Sequence, residues 1–250
     1  MQEPCFSFSL LSRFPELIHG ISNRSYGEMK FGAKVADGVV VKNRQFFLQI
    51  LGVSLEDIVV PKQVHSSKIV IAGQSEKSRG AKEPSSAIVG VDGLITTEPN
   101  VYLTVLTADC IPVLFYDPVG QIAGICHAGW RGIIDQIIPK MLDKFKSLGS
   151  EPENLIVGIG PGICQKHFVV KKDVLKYFLP LYSSATLVRN KDGYVDLKKT
   201  IVLDLKKASV GKHNIEIAPY CTVCDNGAYP SYRKEGKGIS QIMSVIGLRQ

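Results

Sequence analysis

Tryptophan occurs once, methionine four times and histidine five times in 250 residues. No apolar run approaches the ~20 residues that a membrane-spanning helix needs, which excludes a helical membrane protein. The opening stretch "MQEPCFSFSLLSRFPEL" has no basic segment ahead of its short, serine-broken apolar run, so a secretory signal is not expected and the cytoplasm is the expected compartment. The six cysteines, at 5, 110, 126, 164, 221 and 224, are scattered and read as reduced thiols or ligands rather than a disulfide framework. "CTVC" at 221–224 lacks a second C-x-x-C that would complete a four-cysteine zinc site, and no βαβ pattern frames it as a redox motif, so it reads as structural. "GIGPG" at 158–162 lacks the dinucleotide-binding spacing and the acidic residue about 20 positions on, so it reads as a tight turn. No internal repeat or break in composition divides the chain, and one domain over residues 1–250 is expected.

What is present is ordinary globular composition, 45% hydrophobic and 21% charged, with a net charge of +7. The excess is uneven: residues 1–150 carry 15 basic and 14 acidic side chains, residues 151–250 carry 15 and 9. These lysines punctuate amphipathic segments without interleaved aromatics, so they read as solvated helix faces rather than a nucleic-acid surface. A basic field also draws small anionic substrates.

The pattern predicts an α+β fold with mixed, largely antiparallel sheets flanked by helices. "FSFSLL" alternates like a half-buried strand, and "NRQFFLQILG" (43–52) has helical spacing ending at Gly52. "DIVVPKQVHSSKIVIAG" reads as two strands with Pro61 and His65 between them, and the polar stretch 73–93 as a mobile surface loop. Closely spaced strands follow in "GLITT", "YLTVLTADC", "PVLFYD" and "QIAGICHAG", with a hairpin signal at "YDPVGQ". "GIIDQIIPKMLDKFKSLG" predicts one helix kinked at Pro139 and stopped by Gly149. "NLIVGIGPG" and "ISQIMSVIGL" read as strands, and "VDLKKTIVLDLKKASVG" as an amphipathic helix.

"CHAGWRG" (126–132) places the one tryptophan beside a histidine, an arginine and two glycines. His65, Cys110 and His127 each stand where a strand stops and glycine or proline lies close by. If those strands are neighbours, two imidazoles and a thiolate converge with a fourth position open, the form of a catalytic zinc site. Asp109 could orient an imidazole or accept a proton, and Arg131 offers a planar fork suited to phosphate near a helix start at about Gly132. Trp130 could wall the pocket or stack on a base. The opposing reading is that each His and Cys is a satisfied structural group. Cys126 points away from His127 into the core; Cys5 and Cys164 have no partner signal; His19, His167 and His213 are expected at the surface.

The series "QVH", "DGLITT", "LTADCIPVLFYDP", "HAGWRG", "GIGPGI" and "CTVC…YPSYRKEG" resembles the YfiH/laccase-domain family, known also under the names multicopper polyphenol oxidase and peptidoglycan editing factor. The resemblance runs from about Ser22 to the closing strand. It implies zinc held by His65, Cys110 and His127. It also implies phosphorolysis of adenosine, inosine, guanosine or 5′-methylthioadenosine to base and sugar 1-phosphate, with deamination of adenosine to inosine. Phosphate would attack ribose C1′ in the first reaction and metal-assisted water the purine C6 in the second; Arg131 is the candidate for phosphate and Asp109 for proton handling. Arg24, in "SNRSYG", fits an arginine the family carries there and is a candidate substrate contact, as is Trp130. The sequence departs from the family pattern at "KHFVV", where a Glu is usual near Phe168–Val169, and at Ile239, where an Arg is usual.

Two other readings stand beside it. A copper oxidase would suit a centre of two histidines and one cysteine, but that centre normally adds an axial methionine, and Met1, Met29, Met141 and Met243 lie outside the motif strands. A hydrolase acting on cell-wall (peptidoglycan) precursors could use the same zinc, or Cys110 as nucleophile with His127 as base. Small-molecule nucleosides and phosphate are the expected partners, with neither nucleic acid nor membrane; the pattern leaves monomer and homodimer open.

Overall fold

The computed structural model describes residues 5–250; residues 1–4, Met1 among them, lie outside the described residues. Two sheets lie at the centre. The larger has six strands in the order Ile215–Ile217, Ile156–Ile159, Ile111–Asp117, Ile122–Ala128, Gly93–Thr96 and Ile69–Ile71, antiparallel in the middle and parallel at both edges. The smaller has four, Leu17–Ile21, Ile242–Leu248, Tyr102–Thr107 and Ile58–Val59.

Why the central strands read as unbroken apolar runs is visible in their two faces. Val113 and Phe115 point to a core shared with Met141 and Phe145 of helix Ile137–Ser147 and with Ile201 and Leu205 of helix Leu197–Lys207. Leu114 and Tyr116, the alternate positions, pack with Leu103, Val105 and Ile246 of the four-stranded sheet. That sheet's outer face, through Tyr102, Leu106 and Val245, covers Phe47 and Leu48 of helix Asp37–Ile50. The layers are therefore helix, sheet, sheet, helix, and strands buried on both sides lose the polar alternation of an exposed sheet. This is the mixed α+β architecture the sequence predicts. Each fully buried Phe or Leu contributes about 1.5–3 kcal/mol.

Several local expectations are corrected. "FSFSLL" forms one bridge, Phe6 with Ile21, and then a 3-10 turn at Leu11–Arg13, because Phe8 and Leu11 are each drawn wholly into the core. The first helix begins at Asp37, six residues before its expected start. The helix after "HAGW" is two helices, Trp130–Ile134 and Ile137–Ser147, broken at Gln136 in the left-handed region (φ 62°). Pro139 thus falls in a first helical turn, where its missing N–H has no bond to lose, and it kinks nothing.

Residues 73–93 are held down rather than loose. Arg44, 1% exposed, donates from Nη1 to the carbonyls of Gly80 (2.7 Å) and Ala81 (2.8 Å), and Ala81 and Val91 are fully buried. Its other guanidinium nitrogens donate to Met29 O, at 2.9 and 2.6 Å, and its plane lies 4.2 Å over the Phe31 ring. A polar composition hid this because the partner is an arginine 36–37 residues upstream. Among the described residues no helix is long and apolar enough to cross a membrane.

Candidate metal centre and its pocket

The hairpin Ile111–Asp117/Ile122–Ala128 sets the site. Its register pairs Pro112 with His127 and Ile111 with Ala128, so the residue just before the first strand, Cys110, lies beside the end of the second. Cys110 itself sits in the short crossover where the chain leaves the four-stranded sheet at Thr107 and enters the six-stranded one at Ile111. His65 comes from the loop between Pro61–Lys62 and Ile69–Ile71. The ligand atoms of His65, Cys110 and His127 all lie within 4.8 Å of one another, and the two imidazoles meet edge to face with centroids 4.8 Å apart.

Asp92, which sequence reasoning did not single out, organises the group. Its buried carboxylate accepts from His127 Nδ1 at 2.8 Å and from the backbone N–H groups of Val64, His65 and Ser66 at 3.1, 3.0 and 2.8 Å. Ser66 Oγ donates to it as well, at 2.8 Å. One carboxylate therefore orients one imidazole and fastens the loop bearing the other. It holds His65 in the left-handed region (φ 63°), a conformation a non-glycine residue keeps only when its surroundings impose it. With Nδ1 bound to Asp92, His127 keeps its Nε2 free for a metal, the carboxylate–histidine arrangement usual among metal ligands. The only sequence signal was the Asp of "VDG", inside the "DGLITT" motif.

Electrostatics follow from that geometry. Burial raises the Cys110 thiol, but the charge of His127 and hydrogen bonds from His127 and His65 outweigh it and bring the group down to about 6. Burial lowers His127, and the thiolate and Asp92 carry it back up, to about 9. Burial likewise opposes Asp92 ionisation, yet His127 and Ser66 hold its carboxyl down at about 2. Both shifts run in the direction of a thiolate beside an imidazolium, a pairing from which a bound cation displaces a proton. Gly129 is required for closeness: a Cβ there would stand 2.9 Å from His65 Cδ2 and 3.0 Å from Cys110 Sγ.

Two lobes of one cavity meet at the triad, sharing Lys30, His65, Ala108, Cys110 and Gln241. The smaller, about 270 Å³, reaches His127 and is walled by Phe31, Val60, Pro61 and Leu106. The larger, about 630 Å³, is lined by Trp130, Arg131, Tyr232, Arg233 and Lys237. Arg131 lies in the first turn of its helix, which starts at Trp130 rather than Gly132, with its guanidinium 4.3 Å over the Trp130 ring. Phe168 and Ile239, the places where the family pattern has Glu and Arg, both line this lobe.

Asp109 stands beside Cys110 and lines the larger lobe, with its carboxylate engaged away from the triad. Its carboxylate accepts from Thr222 Oγ1 at 2.5 Å and from the Arg233 backbone N–H at 2.6 Å. Arg24 lines neither lobe: it pairs with Glu235 at 2.7 Å and donates to Asn226 O, bracing the "SYRKEG" segment from behind. His19, expected at the surface, is 7% exposed; its Nε2 accepts the Phe8 N–H at 2.9 Å, and burial holds it down at about 4. Cys126 is fully buried, as expected.

A second group of donors forms from residues the sequence left apart. Cys164, His167, Cys221 and Cys224 bring their ligand atoms within 4.8 Å of one another, so "CTVC" has a partner pair after all, in the Cys-x-x-His of "CQKH".

Comparison with known proteins agrees with this architecture. The family model described as multi-copper polyphenol oxidoreductase laccase matches residues 14–249. A Bacillus subtilis protein named purine nucleoside phosphorylase YlmD is 30% identical over 238 residues, 92% of this chain and 86% of its own. A protein named adenosine deaminase RL5, from an unknown prokaryotic organism, is 30% identical over 191 residues, 74% of this chain and 73% of its own. The crystal structure of Bacillus licheniformis YfiH superposes with a TM-score of 0.89 at 29% identity, covering 93% of each chain. Hairpin, triad and matched length agree, and the chain belongs to the multi-copper polyphenol oxidoreductase laccase family, the YfiH family its motifs resemble.

Proposed function

We propose that the chain is a zinc-dependent purine nucleoside phosphorylase that also deaminates adenosine, with His65, Cys110 and His127 as metal ligands. The observation that carries this reading is an incomplete ligand shell, two imidazoles and one thiolate, opening onto the junction of an apolar lobe and a cationic one. Three donors with an open fourth position suit catalytic zinc. Copper fits less well: Met29, Met141 and Met243 are fully buried in the cores and none lines either lobe, so among the described residues no axial thioether is at hand.

When bound, zinc supplies Lewis-acid stabilisation of negative charge as it develops. The chain's own groups do the rest. Phe31, Val60 and Leu106 offer flat apolar surface to a purine, while Arg131, Arg233 and Lys237 offer charge to phosphate beside the shared wall. Trp130 stacks under Arg131 and fixes its fork. Phosphorolysis forms the ribose C1′–phosphate bond and breaks the bond to the base; deamination adds water at C6 and releases ammonia. Asp92 keeps His127 oriented through both. Asp109, committed to Thr222 and Arg233, positions the cationic wall rather than moving a proton. The names of the relatives support the same kind of reaction.

The test is zinc content and hypoxanthine release from inosine on one preparation, with and without phosphate, beside Cys110→Ala. Phosphate-dependent release that disappears with the zinc in the variant is the expected result. Release that ignores phosphate, or that survives in Cys110→Ala, overturns the proposal. Bound zinc without any nucleoside turnover moves the substrate elsewhere, toward a cell-wall precursor.

A further inference from the structure

The cluster at Cys164, His167, Cys221 and Cys224 lies outside the pocket and has no part in the chemistry above. His167 Nδ1 stands 3.3 Å from Cys164 Sγ, 3.6 Å from Cys221 Sγ and 3.6 Å from Cys224 Sγ. In a tetrahedron with Zn–S about 2.3 Å and Zn–N about 2.0–2.1 Å, each nitrogen–sulfur edge is about 3.6 Å. The imidazole is thus already placed at the spacing a bound ion requires. Four donors arranged as Cys-x-x-His and Cys-x-x-Cys are also a complete shell, unlike the three at the pocket. The backbone N–H of Cys164 points at Cys221 Sγ, 3.3 Å away, a donor that favours the thiolate. Cys221 is buried while Cys224 is exposed, which leaves an ion a way in.

We propose that these four residues form a second, structural metal site that takes a zinc ion and clamps the loop at 163–168 onto the turn at 221–225. The consequence reaches the pocket along a short path. Thr222, between the two cysteines of "CTVC", donates to Asp109, next to Cys110. Arg233, whose backbone N–H also binds Asp109, donates from Nη1 to the carbonyl of His167 at 2.6 Å. An ion in this cluster fixes the cationic wall without touching substrate. The inference does not depend on which substrate the pocket takes.

The experiment is zinc or cobalt titration of full-length protein, stripped by chelator and kept reduced, in three forms: wild type, His65→Ala/Cys110→Ala and Cys164→Ser/Cys224→Ser. Two ions per chain in wild type and one in each double variant are expected. The ion left in His65→Ala/Cys110→Ala should give cobalt–thiolate absorption about three times as strong as the single-thiolate site. Folding failure of a variant is bypassed in wild type alone, by iodoacetamide labelling followed by mass spectrometry. Cys164, Cys221 and Cys224 should be protected with zinc bound and labelled after chelation. One ion per chain in wild type, labelling of these cysteines unchanged by zinc, or a mass two hydrogens short from a Cys221–Cys224 disulfide in protein isolated under reducing conditions overturns the proposal.

Discussion

The two donor clusters are built from the same side chains to opposite ends. At His65, Cys110 and His127 the shell is short of one donor, and the gap faces a cavity with an apolar lobe and a basic one. At Cys164, His167, Cys221 and Cys224 the shell is full and no described cavity opens onto all four. Their supports differ as well. The first is held by a buried carboxylate, Asp92, that binds the ring of one candidate ligand, His127, and the backbone of another, His65. The second is held by two local turns, each presenting a pair of donors three residues apart. A site meant to exchange ligands needs rigid support from outside its own shell, whereas a site meant only to fasten chain can be assembled by the ion itself.

The sharpest way to break this contrast is to remove one thiolate from each. Under the proposed function, Cys110→Ala should lower phosphorolysis by about 1,000-fold, since several kcal/mol of charge stabilisation would go with the ion, and leave the melting temperature nearly unchanged. Asp92→Asn should come next, with a loss of roughly 10–100-fold in activity or zinc affinity, read by turnover against free zinc concentration. Cys221→Ser should do the reverse of Cys110→Ala. Turnover should fall by only about 3–10-fold, while loss of about 3 kcal/mol lowers the melting temperature by about 6–12 °C in calorimetry. Equal effects of Cys110→Ala and Cys221→Ser on both readouts would erase the distinction.

The smallest effect at neutral pH belongs to His19, remote from both clusters. Its folded value of about 4 lies below the unfolded 6.5, so the unfolded chain binds more protons between those limits. Stability is therefore complete above about pH 6.5 and is lost as pH falls toward 4, by on the order of 2–3 kcal/mol. His19→Gln keeps an acceptor for the Phe8 N–H and should flatten that loss in denaturant titrations from about pH 7 to 4, with no change at neutral pH.

Much of this was legible in the residues, and the misses share a cause. The central strands announced themselves because a run such as "PVLFYD" has no other use than burial on both faces. "TADC" and "HAGWRG" pointed to one place because the hairpin between them is local. Asp92, Arg44 and the His167 cluster stayed hidden because their partners lie 35, 36–37 and 54–57 positions away, where no periodicity reaches. Asp109 does line the larger lobe, with its carboxylate held by Thr222 and the Arg233 N–H, whereas Arg24 lines neither lobe because Glu235 draws it off.

The hairpin that brings Cys110 and His127 together has a second end. Its seven-residue strands run about 20 Å from the triad to the turn at 118–121, where Val119 is 75% exposed. For protein engineering that turn is a handle: a peptide tag, a dye or an inserted domain grafted there would ride on the same rigid hairpin as the ligands without nearing them. A single residue removed from inside either strand would do the opposite, rotating every side chain beyond it to the wrong face and carrying a candidate ligand with it.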